Sequence, residues 1–387
     1  MPENLDLTIV MPCLNEAETI GSCVKKAMKS LRDLGLRGEV LVADNGSTDG
    51  SIEIAEAGGA RVVQIKQKGY GNALRGGIGA AHGKWIIMGD SDDSYDFSRL
   101  APFVEKFKAG YELVMGCRLS KGGGSIMPGA MPWKNRHIGN PTLSFLGRLF
   151  FKCPVTDFHC GLRGFSREGY QKLDVRTTGM EFASEMVIKA TLKNLKITEV
   201  PITLHKDGRS RPPHLKPWRD GWRHLRFMLL FSPRWLFLWP GVAALLAGVA
   251  LFIPLSIGPL KIGRIAFDTN TFLVAGLMIV LGLQVLFFAV FTRSYATLRG
   301  LLPQKSELRA VMNIFSLERG VIAGILLALG GLGFMIKAVL KWQEVGFGML
   351  SYPESLRLVI PAVILLMIGV QTIFSSFFLA ILDFEHD

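Results

Sequence analysis

The sequence predicts an α/β domain with a mostly parallel sheet and helices on both of its faces, followed by a membrane domain of four helices. Up to about residue 232, short apolar runs alternate with amphipathic blocks, which is typical of a parallel sheet covered on both faces. Beyond that residue, four apolar runs of at least 21 residues appear. Since about 20 residues cross a bilayer as a helix, each run is long enough to span a membrane.

Six apolar runs of the first half predict strands, and the first block between them predicts a helix. The strands are expected at 7–12, 39–44, 61–65, 84–90, 111–117 and 196–204, and the helix at 16–34. Polar loops follow three of the strands, at 13–16, 44–50 and 90–96. Because ligands of such sheets bind beyond the carboxyl ends of the strands, we expect these three loops to converge on one site.

The four apolar runs predict membrane-spanning helices at about 235–257, 271–291, 320–340 and 358–382. Segment 292–319, between the second and third runs, contains five arginines and lysines, whereas the loops on either side contain two each. This bias places segment 292–319 in the cytoplasm, and four crossings then place the N-terminal domain and the C-terminal tail there as well. We therefore expect an integral membrane protein with both termini cytoplasmic.

A basic stretch precedes the first of these runs. Of the net charge of +12, seven basic residues lie between positions 206 and 226, and Trp218 and Trp222 recur there at helical spacing. The pattern predicts an amphipathic helix on an anionic membrane surface at 213–232, between a domain at 1–212 and a membrane domain at 233–387. A helix docked on the domain core is the alternative. Nucleic-acid binding is disfavoured, because a membrane span follows directly.

The fourth predicted strand runs into four acids, Asp90, Asp92, Asp93 and Asp96. A calcium loop of the EF-hand kind is excluded, since Tyr95 stands where that loop requires glycine. Three hypotheses remain: a phosphotransferase with Asp90 as nucleophile, a carboxylate pair holding a divalent cation on a nucleoside diphosphate, and an acidic turn that caps the next helix. The position on the fourth strand favours the cation site, because the two earlier polar strand ends offer groups for a nucleotide.

Four segments in this order and spacing resemble the family 2 inverting glycosyltransferases of the GT-A fold: "IVMPCLNE" (9–16), "DNGSTDGS" (44–51), "KGYGNA" (68–73) and "GDSDDS" (89–94). The later segments "TDFHCGLRGFSRE" (156–168) and "EVPITLHKDGRSR" (199–211), with a membrane-embedded C-terminus, resemble the polyprenyl-phosphate (dolichyl-phosphate) glycosyltransferases. The resemblance implies a GT-A domain, a nucleoside-diphosphate sugar such as GDP-mannose or UDP-glucose as donor, and a lipid phosphate as acceptor.

The resemblance also implies roles for residues at matching positions. It implies that the substrates bind at Pro12, Asn15, Glu16, Asp44, Lys68, Arg118 and Arg211. It implies that Mn²⁺ or Mg²⁺ binds at Asp92 and Asp90, and that the residues carrying catalysis are Asp90, Asp92, Asp157 and Arg163. Three positions depart from the family pattern: Ser94 stands where many relatives have glutamine, His205 where arginine is usual, and Arg211 where lysine is usual.

The expected reaction is a single displacement in which a lipid phosphate oxygen attacks the anomeric carbon and the nucleoside diphosphate leaves, with inversion. A phosphate monoester has a second pKa of about 6, so it is a ready nucleophile at neutral pH and needs no strong base. The alternative is transfer to a sugar hydroxyl or a polysaccharide, with Asp157 as the base. A membrane-anchored sugar-nucleotide-binding protein without catalysis is the third hypothesis.

Overall fold

The computed structural model describes residues 5–210, 217–298, 302 and 316–383. The chain divides into two compact units, Met1–Met228 and Leu229–Asp387. Arg211 and most of the basic segment 292–319 lie outside the described residues. The division into 1–212, 213–232 and 233–387 stays a prediction.

A seven-stranded sheet lies at the centre of the first unit. Its strands are β1 (Leu7–Cys13), β2 (Gly38–Asp44), β3 (Arg61–Gln64), β4 (Trp85–Met88), β5 (Leu113–Cys117), β7 (Arg163–Ser166) and β8 (Ile197–Pro201). Their order in the sheet is β3-β2-β1-β4-β7-β5-β8. Neighbouring strands are parallel except where β7 pairs, antiparallel, with β4 and β5. A short parallel pair, β6 (Ser125–Ile126) with β9 (Thr203–Leu204), forms a separate sheet. The mostly parallel α/β fold of the GT-A type is confirmed.

Eight α-helices belong to the described part of this unit. They are α1 (Ile20–Asp33), α2 (Ser51–Ala57), α3 (Tyr70–Ala80), α4 (Ala101–Lys108), α5 (Asn140–Phe151), α6 (Arg167–Leu173), α7 (Phe182–Leu192) and α8 (Pro217–Leu230). Helix α1 begins four residues later than predicted, since residues 16 and 17 are bonded to the segment that follows β2: Ser51, at the start of α2, accepts from Glu16 N at 2.7 Å, and Asp49 accepts from Ala17 N at 3.0 Å. Residues 16–19 therefore form a turn that faces the strand ends.

The central strands are buried on both faces, as their continuous apolar sequences predict. Ile9, Val10, Leu41 and Val42 have no exposed surface, and each such side chain contributes about 1.5–3 kcal/mol by leaving water. The parallel register places Cys13, at the end of β1, opposite Asp44, at the end of β2. The polar loops after these two strands are therefore neighbours, as expected.

The second unit contains four helices long and apolar enough to cross a membrane, at Arg234–Ile257, Thr269–Leu298, Leu317–Glu344 and Tyr352–Leu382. Its helices are α9 (Trp239–Ile257, preceded by a π-turn at Arg234–Leu238), α10 (Thr269–Leu298), α11 (Leu317–Glu344) and α12 (Tyr352–Asp383), and its hairpin is β10 (Leu260–Ile262) with β11 (Ile265–Phe267). The four predicted spans are confirmed. The helices extend beyond them because the helical backbone continues into polar flanks that hydropathy does not detect.

Glycines allow α11 and α12 to approach each other closely. A Cβ on Gly324 would lie 2.7 Å from the Gly369 carbonyl oxygen, and one on Gly331 would lie 2.8 Å from the Ala362 carbonyl oxygen. Small residues at such contacts are typical of helix pairs in membranes, where close backbone packing replaces the hydrophobic effect as the attraction.

Candidate active site

A cavity of about 520 Å³ opens at the carboxyl ends of β1, β2 and β4, where the polar loops meet. We call it the strand-end cavity. Five of the predicted site residues line it, namely Pro12, Glu16, Lys68, Asp90 and Asp92. Its other charged lining residues are Arg209, Arg219, Asp220 and Arg223. The convergence of the loops on one site, at the edge of the sheet where such folds bind ligands, is what the sequence led us to expect.

Of the four acids after β4, two face this cavity and two do not. Asp93, in a left-handed conformation with φ of 62°, is turned to α1, where Lys26 Nζ lies 2.7 Å from its Oδ1. Asp96 accepts hydrogen bonds from the backbone and hydroxyl of Ser98, at 3.0 and 2.6 Å. The acids are therefore kept together by separate local partners, and only Asp90 and Asp92 line the cavity.

Asp90 lies at the bottom of the site. Its Oδ1 accepts a hydrogen bond of 2.9 Å from Tyr70 Oη, and a Cβ on Gly161 would lie 2.7 Å from its Oδ2, so only glycine fits beside it. Loss of hydration, reinforced by the charge of Asp92, raises the pKa of Asp90 to about 6; Tyr70, Arg209 and Arg118 act in the opposite direction.

Arg209 is the cation that balances the carboxylates of the strand-end cavity. Its Nη2 lies 2.5 Å from Asp92 Oδ2 and its Nη1 lies 3.1 Å from Glu16 Oε1, while Asp207 Oδ2 lies 3.2 Å from its Nε. Burial acts to lower the pKa of Arg209, but the three carboxylates together raise it, so the guanidinium stays charged. Sequence analysis did not identify Arg209, which is separated from Asp92 by 117 positions.

The same carboxylates form a suitable donor set for a divalent cation. Asp92 Oδ2 and Glu16 Oε1 already share one positive group, and Asp90 lines the cavity beside them. Among the described residues, no group of three or more His, Cys, Asp and Glu side chains has the arrangement of a complete metal site. Two carboxylates that leave positions for phosphate oxygens and water are typical of Mg²⁺ sites that bind with a nucleotide.

Asn15 and Asp44 shape the loops of the site. Asp44 is almost fully buried, and its carboxylate accepts from the backbone N–H groups of Gly46 and Ser47 at 2.8 and 3.1 Å. Asn15 Oδ1 accepts from Thr48 N at 2.8 Å. Both lie outside the lining of the strand-end cavity, where Asn45 is present instead.

Lys68 and Asn45 form one wall of the strand-end cavity together. Lys68 Nζ donates to the Asn45 carbonyl oxygen at 2.6 Å, and Asn45 Oδ1 accepts from Gly69 N at 2.8 Å. The side-chain amide of Asn45 also donates to the carbonyl oxygens of Ile65 and Gln67. The glycine-rich segment that begins at Lys68 is thus fixed against the end of β2, with its cation at the cavity.

A second, basic cavity of about 460 Å³ lies in the same unit. Its cationic lining residues are Arg118, Lys121, Arg136 and Arg148, with His137 beside them, and none of its lining residues, all in the described part of the chain, is acidic. Arg148 donates to the carbonyl oxygens of Val155 and Thr156, so its role includes holding the cavity wall. The positive charge of Arg118 reaches Asp90, where it is one of the influences that lower that carboxyl's pKa.

Asp157 and Arg118 form a buried bidentate ion pair. Arg118 Nε lies 2.7 Å from Asp157 Oδ2, Arg118 Nη2 lies 2.8 Å from Oδ1, and the backbone N of Arg118 donates to Oδ2 at 3.0 Å. Burial alone would raise the pKa of Asp157, but the charge and hydrogen bonds of Arg118 lower it. Asp157 lies outside the strand-end cavity, and its role as a base stays a prediction.

Arg163, also predicted to be catalytic, is fully buried on β7. Its guanidinium donates to the Cys160 carbonyl oxygen at 3.0 Å through Nε and to the Ala183 carbonyl oxygen at 2.7 Å through Nη1. These bonds tie the segment after Asp157 to α7. The geometry assigns Arg163 a structural task, and contact with substrate stays a prediction.

Helix α8 combines the two alternatives considered for the basic stretch. His224 is buried, with its Nδ1 2.7 Å from Ser184 Oγ of α7, so the helix is docked on the domain. Trp218 and Trp222 are 89% and 57% exposed. Arg219 and Arg223 line the strand-end cavity. Contact of the exposed tryptophans with a membrane surface stays a prediction.

Comparison with known proteins identifies the class of enzyme. Residues 8–174 match the description "Glycosyl transferase family 2", and residues 290–383 match "Glycosyltransferase family 2 C-terminal transmembrane region". The low-salt glycan biosynthesis hexosyltransferase Agl6 of Haloferax volcanii is 38% identical over 96% of this chain and 88% of its own length. The chain therefore belongs to the family 2 glycosyltransferases, and it has the transmembrane region of that family at its C-terminal end.

Two further proteins are similar over the first unit. The dolichyl-phosphate hexose transferase of Haloferax volcanii is 32% identical over 56% of this chain and 89% of its own length. Glucosyl-3-phosphoglycerate synthase from Mycobacterium tuberculosis, solved with Mn²⁺, UDP-glucose and phosphoglyceric acid, is 25% identical in sequence to this chain. The match covers 58% of this chain and 79% of the synthase chain, with a TM-score of 0.46.

Proposed function

We propose that this protein transfers a hexose from a nucleoside-diphosphate donor to the phosphate of a polyprenyl or dolichyl lipid, at the cytoplasmic face of a membrane. One observation carries the proposal. A strand-end cavity with the carboxylates of Asp90 and Asp92, which follow β4, and a basic cavity around Arg118, which follows β5, lie in one domain. Both strands pair antiparallel with β7, so they run in the same direction and end at the same edge of the sheet. Such a pair of sites suits one diphosphate that binds with a cation and a second anion that binds to arginine.

The donor would lie in the strand-end cavity. The loops shaped by Asn15 and Asp44 would hold the nucleoside, and Lys68 is positioned beside them for a phosphate. Asp92 and Asp90 would hold Mn²⁺ or Mg²⁺, which when bound supplies positive charge to the leaving diphosphate. Arg209 keeps Glu16 and Asp92 together at this place in the free protein, and its guanidinium would turn to the diphosphate once the cation takes its place at these carboxylates.

The acceptor phosphate would bind to Arg118, Lys121 and Arg136 of the basic cavity. The bond that forms joins a phosphate oxygen of the lipid to the anomeric carbon, the bond that breaks joins that carbon to the diphosphate, and the nucleoside diphosphate leaves with both bonding electrons. No proton must be removed from a doubly ionised phosphate. The protein's task is therefore alignment and the holding of two anions close together by cations.

The alternative acceptor, a sugar hydroxyl, would need a base, and Asp157 was the leading candidate. Both of its oxygens are bonded to Arg118, and its pKa is lowered, which makes it a weaker base than an ordinary aspartate. The geometry thus favours the lipid phosphate over the hydroxyl.

A transfer assay with the full chain in detergent tests the proposal. Polyprenyl phosphate, Mn²⁺ or Mg²⁺ and a panel of radiolabelled UDP- and GDP-hexoses would be supplied, and label would be counted in the organic phase. Asp92→Asn should lower the rate by roughly 10²–10³-fold, the typical effect of losing one charge-stabilising group. Asp93→Asn is the matched control, because Asp93 is the adjacent acid and faces α1. Label that reaches only water-soluble products, or equal rates in the two variants, would contradict the proposal.

A further inference from the structure

The membrane unit contains a cavity of about 850 Å³ that the proposed reaction does not use. We call it the membrane cavity. All four spans contribute to it: α9 with Phe252 and Ile257, α10 with Ile279, α11 with Phe334, and α12 with several aliphatic side chains, among them Leu358, Ile364, Leu365 and Ile368. Its walls are therefore largely apolar. Ile257 is 85% exposed and Phe334 is 39% exposed, and exposed apolar residues of a spanning helix face lipid in a bilayer.

Charged side chains lie at one end of this cavity. Lys337, Lys341, Glu354 and Arg357 all line it. Lys341 Nζ is 2.8 Å from Glu354 Oε2, and Arg357 Nη2 is 2.5 Å from Asp268 Oδ1. Three cations thus face two carboxylates. In the described part of the chain, no carboxylate lies within the 4.0 Å of an ion pair from Lys337.

Lys337 is the residue in need of a partner. It lies one helical turn further into the span than Lys341, and about 10 Å of helix separate it from the end of α11 at Glu344. Ionisable residues inside spans are unfavourable, and they usually pair with another charge or mark a ligand site. A lysine this close to the end of a span can extend its side chain to the membrane surface, where the negative groups are the phosphates of the lipids.

The carbonyl groups near the cavity add polarity on the side of α12. Pro361 lies inside α12 and lines the cavity. Because proline has no N–H, the carbonyl of Arg357, four residues earlier, has no helical donor, and the helix can bend there. Arg357 Nε also donates to the Leu255 carbonyl oxygen at 3.4 Å, so the arginine connects α12 with α9 at the wall of the cavity. The guanidinium is thereby fixed at the same end as Lys337.

We propose that the membrane cavity binds the phosphate headgroup of a membrane lipid, with Lys337 as the principal cation, Arg357 as its neighbour, and the lipid chain along the apolar wall. This site lies in the membrane unit and is distinct from the basic cavity of the first unit. It follows from the membrane unit alone, so it does not depend on the proposed transferase reaction.

Native mass spectrometry of the delipidated full chain tests this inference. The protein would be titrated with phosphatidylglycerol, with polyprenyl phosphate, and with polyprenol, which has the same chain without the phosphate. Lys337→Gln should reduce retention of the phosphate lipids roughly fivefold, the factor that corresponds to about 1 kcal/mol per basic residue. Lys337→Arg should retain them. Lys261→Gln is the matched control, because Lys261 is an exposed lysine of the β10–β11 hairpin, outside the lining of the membrane cavity.

The outcomes separate the possible ligands. Retention of both phosphate lipids supports a headgroup site, and retention of only one of them names its source. Equal retention by Lys337→Gln and the unaltered protein would overturn the inference, and so would retention of polyprenol as strong as that of polyprenyl phosphate. Displacement of the lipid by millimolar inorganic phosphate, with the phosphate retained in its place, would show a simple anion site and overturn the lipid assignment. Thermal unfolding of each variant confirms that the fold is intact.

Discussion

Replacement of Asp157 by asparagine separates a structural role from a catalytic one. Asp157 is fully buried and Arg118 is 7% exposed, with three hydrogen bonds between them. Asparagine keeps the shape but leaves the guanidinium uncompensated, and breaking one partner of a buried pair typically removes about 3–5 kcal/mol of stability. For a domain of about 200 residues, each kcal/mol shifts the Tm by roughly 2–4 °C, so we expect a fall of roughly 6–20 °C.

The assay is thermal unfolding of the purified full chain in detergent, monitored by near-ultraviolet circular dichroism. Asp174→Asn is the matched control, because Asp174 pairs with Arg176 at 2.6 Å but both side chains are more than half exposed. Such a surface pair contributes about 0–1 kcal/mol, so its Tm should barely change. An Asp157→Asn protein with an unchanged Tm and no transfer activity would refute the structural account and assign Asp157 to the chemistry as a base.

Three further predictions concern other parts of the molecule. Burial lowers the pKa of His224 to about 4, so the folded state binds fewer protons than the unfolded state between pH 6.5 and 4. The contribution of neutral His224 to stability should therefore be fully present above about pH 6.5, and stability should fall by up to about 3 kcal/mol as the pH drops towards 4. His224→Gln should flatten this part of a curve of unfolding free energy against pH. An equally steep curve in the variant would contradict the assignment to His224. The Arg209→Gln variant should bind Mn²⁺, in the absence of nucleotide, roughly tenfold more tightly than the unaltered protein, as measured by a paramagnetic-resonance titration. The reason is that charged hydrogen bonds of about 1.5–3 kcal/mol from the guanidinium no longer compete with the metal for Glu16 and Asp92. Weaker binding by the variant would show that the guanidinium does not compete. Lys261→Cys in the hairpin should react with an impermeant maleimide from outside intact cells, against a low background because all five native cysteines are buried; labelling only after lysis would reverse the predicted topology.

The strands that shape the site could be predicted because their sequences are locally consistent. β1, β2 and β4 are short apolar runs that end in polar loops, and burial on both faces is the physical reason for that pattern. β7 was missed, since "RGFS" contains an arginine, a glycine and a serine and resembles a loop. Its position is set by tertiary packing: a Cβ on Gly164 would lie 2.6 Å from Phe107 Cζ and 2.9 Å from Ile87 Cγ1.

The acidic residues of the site could be predicted from the sequence, but the residues with which the acids pair could not. The sequence pointed to Asp90 and Asp92, but it did not indicate that Asp93 turns away, because that depends on a left-handed backbone at one position. It did not indicate the partner of Asp157, which is Arg118. Arg209 was not predicted as a cavity residue, because no local pattern connects an arginine near the end of the domain with carboxylates at its beginning.

The basic cavity shows the same limit. Arg118 was predicted from its motif, but Lys121 and Arg136 were not named. Lys121 lies in the 3-10 turn Ser120–Gly122 and Arg136 in the π-helical turn Asn135–Gly139, and only the structure brings these two turns together. Residues that come together through loop conformation are fixed by the whole fold rather than by their own segment.

Analysis of the lipid product tests the central claim most directly. The full chain would be given polyprenyl phosphate and the donor that it accepts, with a donor of known anomeric configuration. The organic-phase product would be examined by mass spectrometry and proton NMR, and the nucleoside diphosphate released would be counted. We predict one hexose joined to the lipid phosphate, with inverted anomeric configuration and one nucleoside diphosphate released per product. Retained configuration, free hexose as the main product, or a hexose attached to a hydroxyl would contradict transfer to a lipid phosphate by a single displacement.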